Sequence, residues 1–218
     1  MSGLIADTIS TRGPERWRRA AYSERVRGDG DGWVVSSDTG KHYWGVHGAA
    51  GLLLRAPRPD GRPAVLLQHR APWSHQGGTW GLPGGARDSH ETPEEAAKRE
   101  AHEEAGLPGD LLLVRATVVT ADVNADYGKR WTYTTVVADA DELLQTVPNM
   151  ESAELRWVVE DEVSRLPLHP GFADSWHRLR TVLEIVPWSR GDQPRGNLAR
   201  TVEIEDGGLV LRIVGLPD

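Results

Sequence analysis

Glu100, Glu103 and Glu104 stand at positions i, i+3 and i+4 of one segment, a spacing that sets their carboxylates on one face of an α-helix. Like charges so placed repel, and they gather toward the C-terminal end, where the helix dipole disfavours anions. The arrangement works against local stability unless water solvates the charges or a cation compensates them. Clustered carboxylate oxygens are the ligands that a hard divalent ion prefers, with water and phosphate completing its coordination. The chemistry this permits is that of a bound divalent ion carrying water and phosphate oxygens.

The element that must hold these side chains is well marked. Thr92 and Glu95 have capping-box spacing, Pro93 suits the first helical position, and Gly106 can supply a left-handed terminating residue. The spacing predicts a helix over Pro93–Ala105. Apolar runs at 49–54 and 64–68, separated by the turn-rich stretch 57–63, predict two paired strands. Further strands are expected at 111–120, 132–138 and 155–159. Phe172, Trp176, Leu179, Leu183 and Val186 recur at three- and four-residue spacing, which predicts a helix laying one apolar stripe on the sheet, with Trp176 in the core. A small hairpin is expected from Trp33–Val35 and His42–Trp44, and a second from 202–205 and 209–213 around Asp206, Gly207 and Gly208.

These patterns divide the 218 residues into an N-terminal extension at 1–45, a catalytic domain at 46–186, and a C-terminal linker and hairpin at 187–218. The N-terminal piece is expected to be peripheral decoration. A net charge of -7 argues against polymeric nucleic acid as a partner, although a bound cation can invert the field within one cleft. The absence of cysteine removes disulfides, thiolate zinc sites and thiol nucleophiles. No stretch approaches membrane-spanning length and no leader pattern precedes the domain, so the expected location is the cytoplasm.

The stretch from Gly85 to Leu107 resembles the Nudix box: Gly, five residues, Glu, seven residues, Arg-Glu, an apolar residue, any residue, Glu-Glu, any residue, Gly and an apolar residue. Gly85, Glu91, Arg99, Glu100, Glu103, Glu104, Gly106 and Leu107 meet it, with Ala101 in the first apolar slot. A chance match is expected in only roughly one window per 10^8 at average composition. The resemblance implies a Nudix-type α/β/α sandwich with a mixed sheet. It implies a hydrolase that splits a diphosphate linkage, NDP-X to NMP plus P-X, with Mg2+ or Mn2+.

By the same likeness Glu100, Glu103 and Glu104 are expected to be metal ligands and catalytic, with the Gly84 carbonyl as another ligand. Glu91 and Arg99 would orient them, and Gly85 and Gly106 would serve the backbone. MutT-like members place a phosphate-contacting arginine near Arg70 and an additional acidic ligand near Glu151, with Glu154 the alternative. An aromatic at Trp73 is suited to stacking on a base, and His169 and Phe172 fall where MutT-like proteins contact the base. The partner is therefore a small nucleoside-diphosphate-linked molecule: a nucleoside triphosphate, ADP-ribose, a nucleotide sugar, a dinucleoside polyphosphate or a coenzyme. A homodimer is among the expectations, because the last hairpin needs a partner surface, either this domain or a second subunit. The competing readings are a non-catalytic ligand-binding module, which typically loses box glutamates, and an isopentenyl-diphosphate isomerase, which relies on a cysteine this chain lacks.

Overall fold

The computed structural model describes residues 28–186, 200–205 and 208–213. Its two central strands are apolar without alternation: β3 (Ala49–Pro57) and β4 (Pro63–Arg70) are buried along most of their length, as strands covered on both faces must be. They pair antiparallel, with Arg55 opposite Val65. Beyond β3 lies β8 (Lys129–Asp139), parallel to it, and then β7 (Leu113–Ala125), antiparallel to β8. Three short or bent strands complete the inner sheet: β5 (Trp80–Gly81) and β9 (Ser152–Val159) pair with β4, and β6 (Gly84–Ala86) pairs with β3.

Two helices cover the faces. On one side α1 (Pro93–Ala105) packs Ala97, Ala101 and Ala105 with Leu52, Leu54, Leu66 and Val136. On the other, α2 (Pro170–Ile185) packs Trp176, Leu179 and Val182 with Leu53, Val65, Leu67 and Val137. Successive strand residues thus feed opposite cores, as the pleat requires. The result is the expected sandwich with a mixed sheet. Trp176 is 4% exposed and belongs to the core, as the three- and four-residue spacing predicted.

The box helix begins and ends where its local chemistry predicts. The Thr92 side chain accepts the Glu95 N–H, and the Glu95 carboxylate accepts the Thr92 N–H, a device worth about 1 kcal/mol. Gly106 closes the helix at φ 67°, its N–H bonded to the carbonyls of Ala101 and His102. Val147 and Asn149 donate their N–H groups to the carbonyls of Ala105 and Glu104. These contacts satisfy terminal groups that would otherwise lack partners.

Several strand boundaries differ from the sequence expectation: β3 runs on to Pro57 and β8 starts at Lys129. The strand expected from residue 111 starts at Leu113, because Pro108, Gly109 and Asp110 favour a turn and Gly109–Leu111 forms a 3-10 helix. It also runs on to Ala125, paired with β8 to the end of the hairpin. The strand expected from residue 155 starts at Ser152, where a bulge between His69 and Arg70 shifts the register and Ser152 Oγ accepts a bond from Gln68 Nε2 at 2.9 Å.

Both terminal hairpins form. β1 (Trp33–Val35) and β2 (His42–Trp44) make a separate two-stranded sheet bridged to the main body between Ser36 and Ala125. β10 (Arg200–Glu205) and β11 (Gly208–Ile213) extend the main sheet to nine strands through parallel pairing of β10 on β7. The partner surface of the last hairpin is therefore this same domain. Residues 1–27, 187–199, 206–207 and 214–218 of the two expected extensions, with Asp206 and Gly207 of the expected turn among them, lie outside the described residues. Among the described residues no helix is long and apolar enough to cross a membrane.

Candidate active site

One cavity of about 460 Å³ opens at the junction of the box helix, β3, β4, β8 and the first turn of α2, bordered by Gly84, Gly85, Glu100, Glu104 and Glu151. Glu100 is 8% and Glu104 2% exposed. They are buried because they share the inner arc of α1 with Ala97, Ala101 and Ala105. Glu103 falls outside that arc: its side chain is 45% exposed and its carboxylate lies 3.8 Å from Arg99. The helix thus brings two of its three glutamates to the cavity and leaves the third outside its lining.

The loop before α1 is shaped around those carboxylates. A Cβ on Gly84 would stand 2.4 Å from the Ala50 carbonyl oxygen, and one on Gly85 would stand 2.6 Å from the Glu100 carboxylate. Only glycine lets β6 lie this close to β3 while Glu100 approaches the backbone. Gly84 N–H donates to Glu104 Oε2 at 2.8 Å. Arg99 spans the loop: Nε and Nη2 donate to the two oxygens of Glu91 at 2.6 and 2.9 Å, Nη1 to Glu100 at 2.8 Å, and Nη2 to the Ala86 carbonyl at 2.9 Å. The hydrogen bonds from Arg99 hold the Glu91 carboxyl below its ordinary range, with the Asp88 N–H assisting. The guanidinium is held still more firmly protonated.

Glu104 is in the opposite situation. Burial, then the neighbouring charge of Glu100, push its carboxyl up to about 8, against the lowering effect of the Gly84 N–H. Two carboxylates buried side by side repel even with Arg99 on Glu100 and the Gly84 N–H on Glu104, and hard carboxylate oxygens fit a hard divalent cation. The residues present therefore fit a metal of that class. Tyr133, whose phenol is pushed above its usual range by burial and by Glu104, borders the same space.

Glu151 sits immediately before β9 and borders the cavity, and its carbonyl accepts the Ala71 N–H at 2.8 Å. Glu154, inside the strand, instead makes a bidentate bond with Arg156 at 2.7 and 2.8 Å on the exposed surface. Arg70, at the end of β4, borders the cavity and donates Nε to the His75 carbonyl at 2.9 Å. Among the described residues it has no carboxylate partner. His169 caps α2, its Nδ1 accepting the Gly171 N–H at 3.2 Å, and desolvation lowers its pKa to about 4 with Arg70 and His75 adding to the effect. Phe172 and Trp73 border the cavity, the first buried and the second 56% exposed. His69 stacks on Trp80 and His102 bonds the Leu107 carbonyl, both away from the cavity lining.

Sequence reasoning missed several wall residues: Trp33, His42 and Trp44 from the N-terminal hairpin, His75 from the following loop, and Trp131 and Tyr133 from β8. The hairpin expected to be decoration borders the cavity. The alternation of β8 signalled that Trp131 and Tyr133 share one face, but the register against β3, with Tyr133 opposite Ala49, supplies their position. Asp29, Asp88 and His90 also approach one another at the loop surface.

Comparison with known proteins places this geometry among relatives. Residues 46–179 match the family model described as the NUDIX domain. A Mycobacterium tuberculosis protein provisionally named 8-oxo-dGTP diphosphatase 3 is 73% identical over 187 residues, covering 86% of each chain. The crystal structure of a Nudix hydrolase from M. smegmatis, RenU, superposes with a TM-score of 0.72 at 70% identity, over 74% of this chain and 99% of that one. A C. elegans Ap4A hydrolase complex shares the fold alone, at 21% identity and a TM-score of 0.51, over 64% of this chain and 98% of that one.

Proposed function

The chain belongs to the NUDIX domain family and is a hydrolase of diphosphate bonds, and from that premise we propose that it converts a nucleoside triphosphate to the monophosphate and inorganic diphosphate. An oxidised guanine deoxynucleotide of the 8-oxo-dGTP type is the substrate favoured by its 73%-identical relative. The observation that carries the reading is the buried Glu100 and Glu104 pair facing a cavity large enough for a nucleotide.

Glu100 and Glu104 would hold a divalent cation, Mg2+ or Mn2+, with the Gly84 carbonyl, Glu103 and Glu151 as the further ligands that the box pattern and its surroundings offer. Such a cation neutralises charge on the diphosphate oxygens and acidifies water. Arg99 keeps Glu100 oriented by occupying one of its oxygens, and Glu91 keeps Arg99 in place. Arg70 offers a guanidinium at the cavity wall for a phosphate oxygen. Glu151, on the segment entering β9, borders the cavity, and its carboxylate would accept a proton from attacking water. Trp73, His169 and Phe172 border the end of the cavity where the base would lie, and the low pKa of His169 leaves a neutral ring able to pair with a base edge.

The test is a hydrolysis screen with Mg2+ or Mn2+ over 8-oxo-dGTP, ordinary nucleoside triphosphates, ADP-ribose, nucleotide sugars, dinucleoside polyphosphates and dinucleotide coenzymes. The expected result is selective release of diphosphate from 8-oxo-dGTP. Preferential cleavage of ADP-ribose or a dinucleoside polyphosphate would overturn the substrate, and no metal-dependent hydrolysis of any would overturn the reaction.

A further inference from the structure

We propose, resting on that reading of the cavity, that the β1–β2 hairpin forms the wall that grips the planar end of the substrate, and that Trp33 packs on the nucleobase. The hairpin precedes residue 46, where the matched family region begins. Yet Asp31, Trp33, His42, Tyr43 and Trp44 border the same cavity as Glu100, Glu104 and Glu151.

The side chain of Trp33 points to this role. It is 49% exposed, although its ring is edge-on to Trp44 at 5.1 Å and to His75 at 5.5 Å. His75 in turn lies 6.3 Å from His169 at the start of α2. An aromatic row therefore runs from the hairpin, across the loop after β4, to the helix end that borders the base side of the cavity. A large indole left half exposed on the wall of the cavity offers apolar area and a π-face to a flat ligand. The glutamates come from the box helix and the segment before β9, whereas Arg70 donates Nε to the His75 carbonyl and so stands where the aromatic row meets the candidate phosphate contact. The ligand class that matches the hairpin side is a purine-sized base.

The hairpin is fixed rather than free to swing. Gly30 N–H donates to Asp88 Oδ1 at 2.8 Å, and Ser89 N–H to Asp29 at 2.8 Å, so its base is tied to the box loop. Its turn is bonded to the end of β7 through Ser37 N–H and the Asn124 carbonyl at 3.0 Å. Tyr43 lies 4.6 Å from the Trp131 ring, and Trp131 Nε1 donates to the Gly45 carbonyl at 2.8 Å. Gly45 sits at φ +103°, where a Cβ would meet the Gly48 carbonyl oxygen at 2.2 Å. That turn takes the chain directly from the hairpin into β3. A wall anchored to both the box loop and β7 positions its ring before substrate arrives, which lowers the ordering cost of binding.

The test compares full-length wild type with Trp33→Ala, Trp33→Leu and Trp33→Phe. Calorimetric titration with Mg2+ present measures binding of 8-oxo-dGMP, dGMP and inorganic diphosphate, and steady-state assays give KM and kcat separately. Loss of one base–aromatic stack should weaken monophosphate binding about 10-fold in Trp33→Ala. Inorganic diphosphate binding should stay within about 2-fold, Trp33→Phe should recover most of the loss, and KM should carry the effect on turnover. If Trp33→Ala fails to fold, Trp33→Leu decides the question by the same readouts, because it keeps apolar bulk without the ring. Unchanged monophosphate affinity, an equal loss for diphosphate, or no recovery with Phe would overturn the proposal. Normal hydrolysis indifferent to Trp33 would sink this inference alone. Trp33-dependent monophosphate binding without any hydrolysis would sink the reaction instead.

Discussion

Replacing Arg99 by alanine should lower both stability and turnover, by amounts the contacts set. The guanidinium makes four hydrogen bonds: two to Glu91, one to Glu100 and one to the Ala86 carbonyl. Its side chain is 32% exposed while that of Glu91 is 8% exposed. Exposed ion pairs contribute about 0–1 kcal/mol, and stripping the partner from a buried charge costs about 3–5 kcal/mol. This pair lies between those limits, so about 2–3 kcal/mol is expected, or roughly 4–12 °C in Tm for a chain of this size. The loss of the oxygen-anchoring bond to Glu100 should lower kcat about 10- to 100-fold, the usual effect of removing a residue that orients a ligand. Lysine can offer one point charge but no fork, so Arg99→Lys should recover part of the Tm and little of the kcat. Thermal melts in chelator followed by steady-state kinetics measure both. An Arg99→Ala protein that melts within ~1 °C of wild type, or keeps kcat within about 2-fold, would refute the orienting role.

Glu151→Gln should lower kcat about 10- to 100-fold with KM little changed, whereas Glu154→Gln, which breaks only a surface pair with Arg156, should stay within about 2-fold; the reverse ranking overturns the assignment. Truncation before Thr201 uncovers the β7 edge to which β10 is paired, so Tm should fall or the protein should self-associate while the chemical step persists. A truncated chain that is monomeric and equally stable but inactive contradicts that expectation. For His169 the folded pKa is depressed to about 4 from 6.5, so between these values the unfolded chain binds a proton that the folded one does not. Its stability contribution is present above about pH 6.5 and lost as pH falls toward 4. His169→Asn keeps a cap acceptor without titrating. Melts from pH 7 to pH 5 should therefore fall less steeply in the variant, and parallel curves would remove His169 as the cause.

The parts legible in the sequence are those decided locally. Thr92, Pro93, Glu95 and Gly106 define α1 because each acts on its own backbone neighbourhood. The unbroken apolar runs of β3 and β4 announce strands covered on both faces. The spacing of Glu100, Glu103 and Glu104 is equally local, but helical periodicity says which residues share a face and not how far the neighbouring strands wrap around it. The alanines carried the missing signal: Glu104 lies three residues beyond Ala101 and seven beyond Ala97, inside the buried stripe, while Glu103 lies off it. What could not be read was long-range. The contact of Ala71 with Glu151, the bulge that starts β9 at Ser152, and the bonding of Gly30 and Asp29 to the box loop depend on chain segments far apart in sequence. For the same reason Trp33 looked peripheral until the hairpin had a place to dock.

The most direct measurement is diphosphate release from 8-oxo-dGTP by wild type, Glu100→Gln, Glu103→Gln and Glu104→Gln, each assayed with Mg2+, after chelation and after metal is restored. Glutamine is a fair replacement for Glu104, whose carboxyl burial pushes up, since it keeps the shape of the side chain and its amide oxygen can accept the Gly84 N–H. Glu104→Gln should therefore fold with a melt in chelator close to wild type, while Glu100→Gln, which weakens the bond to Arg99, should melt somewhat lower. Wild-type turnover should vanish on chelation and return with Mg2+ or Mn2+, and each glutamate variant should lose orders of magnitude in kcat. Turnover indifferent to chelation, or near-normal rates in both Glu103→Gln and Glu104→Gln, would contradict the account.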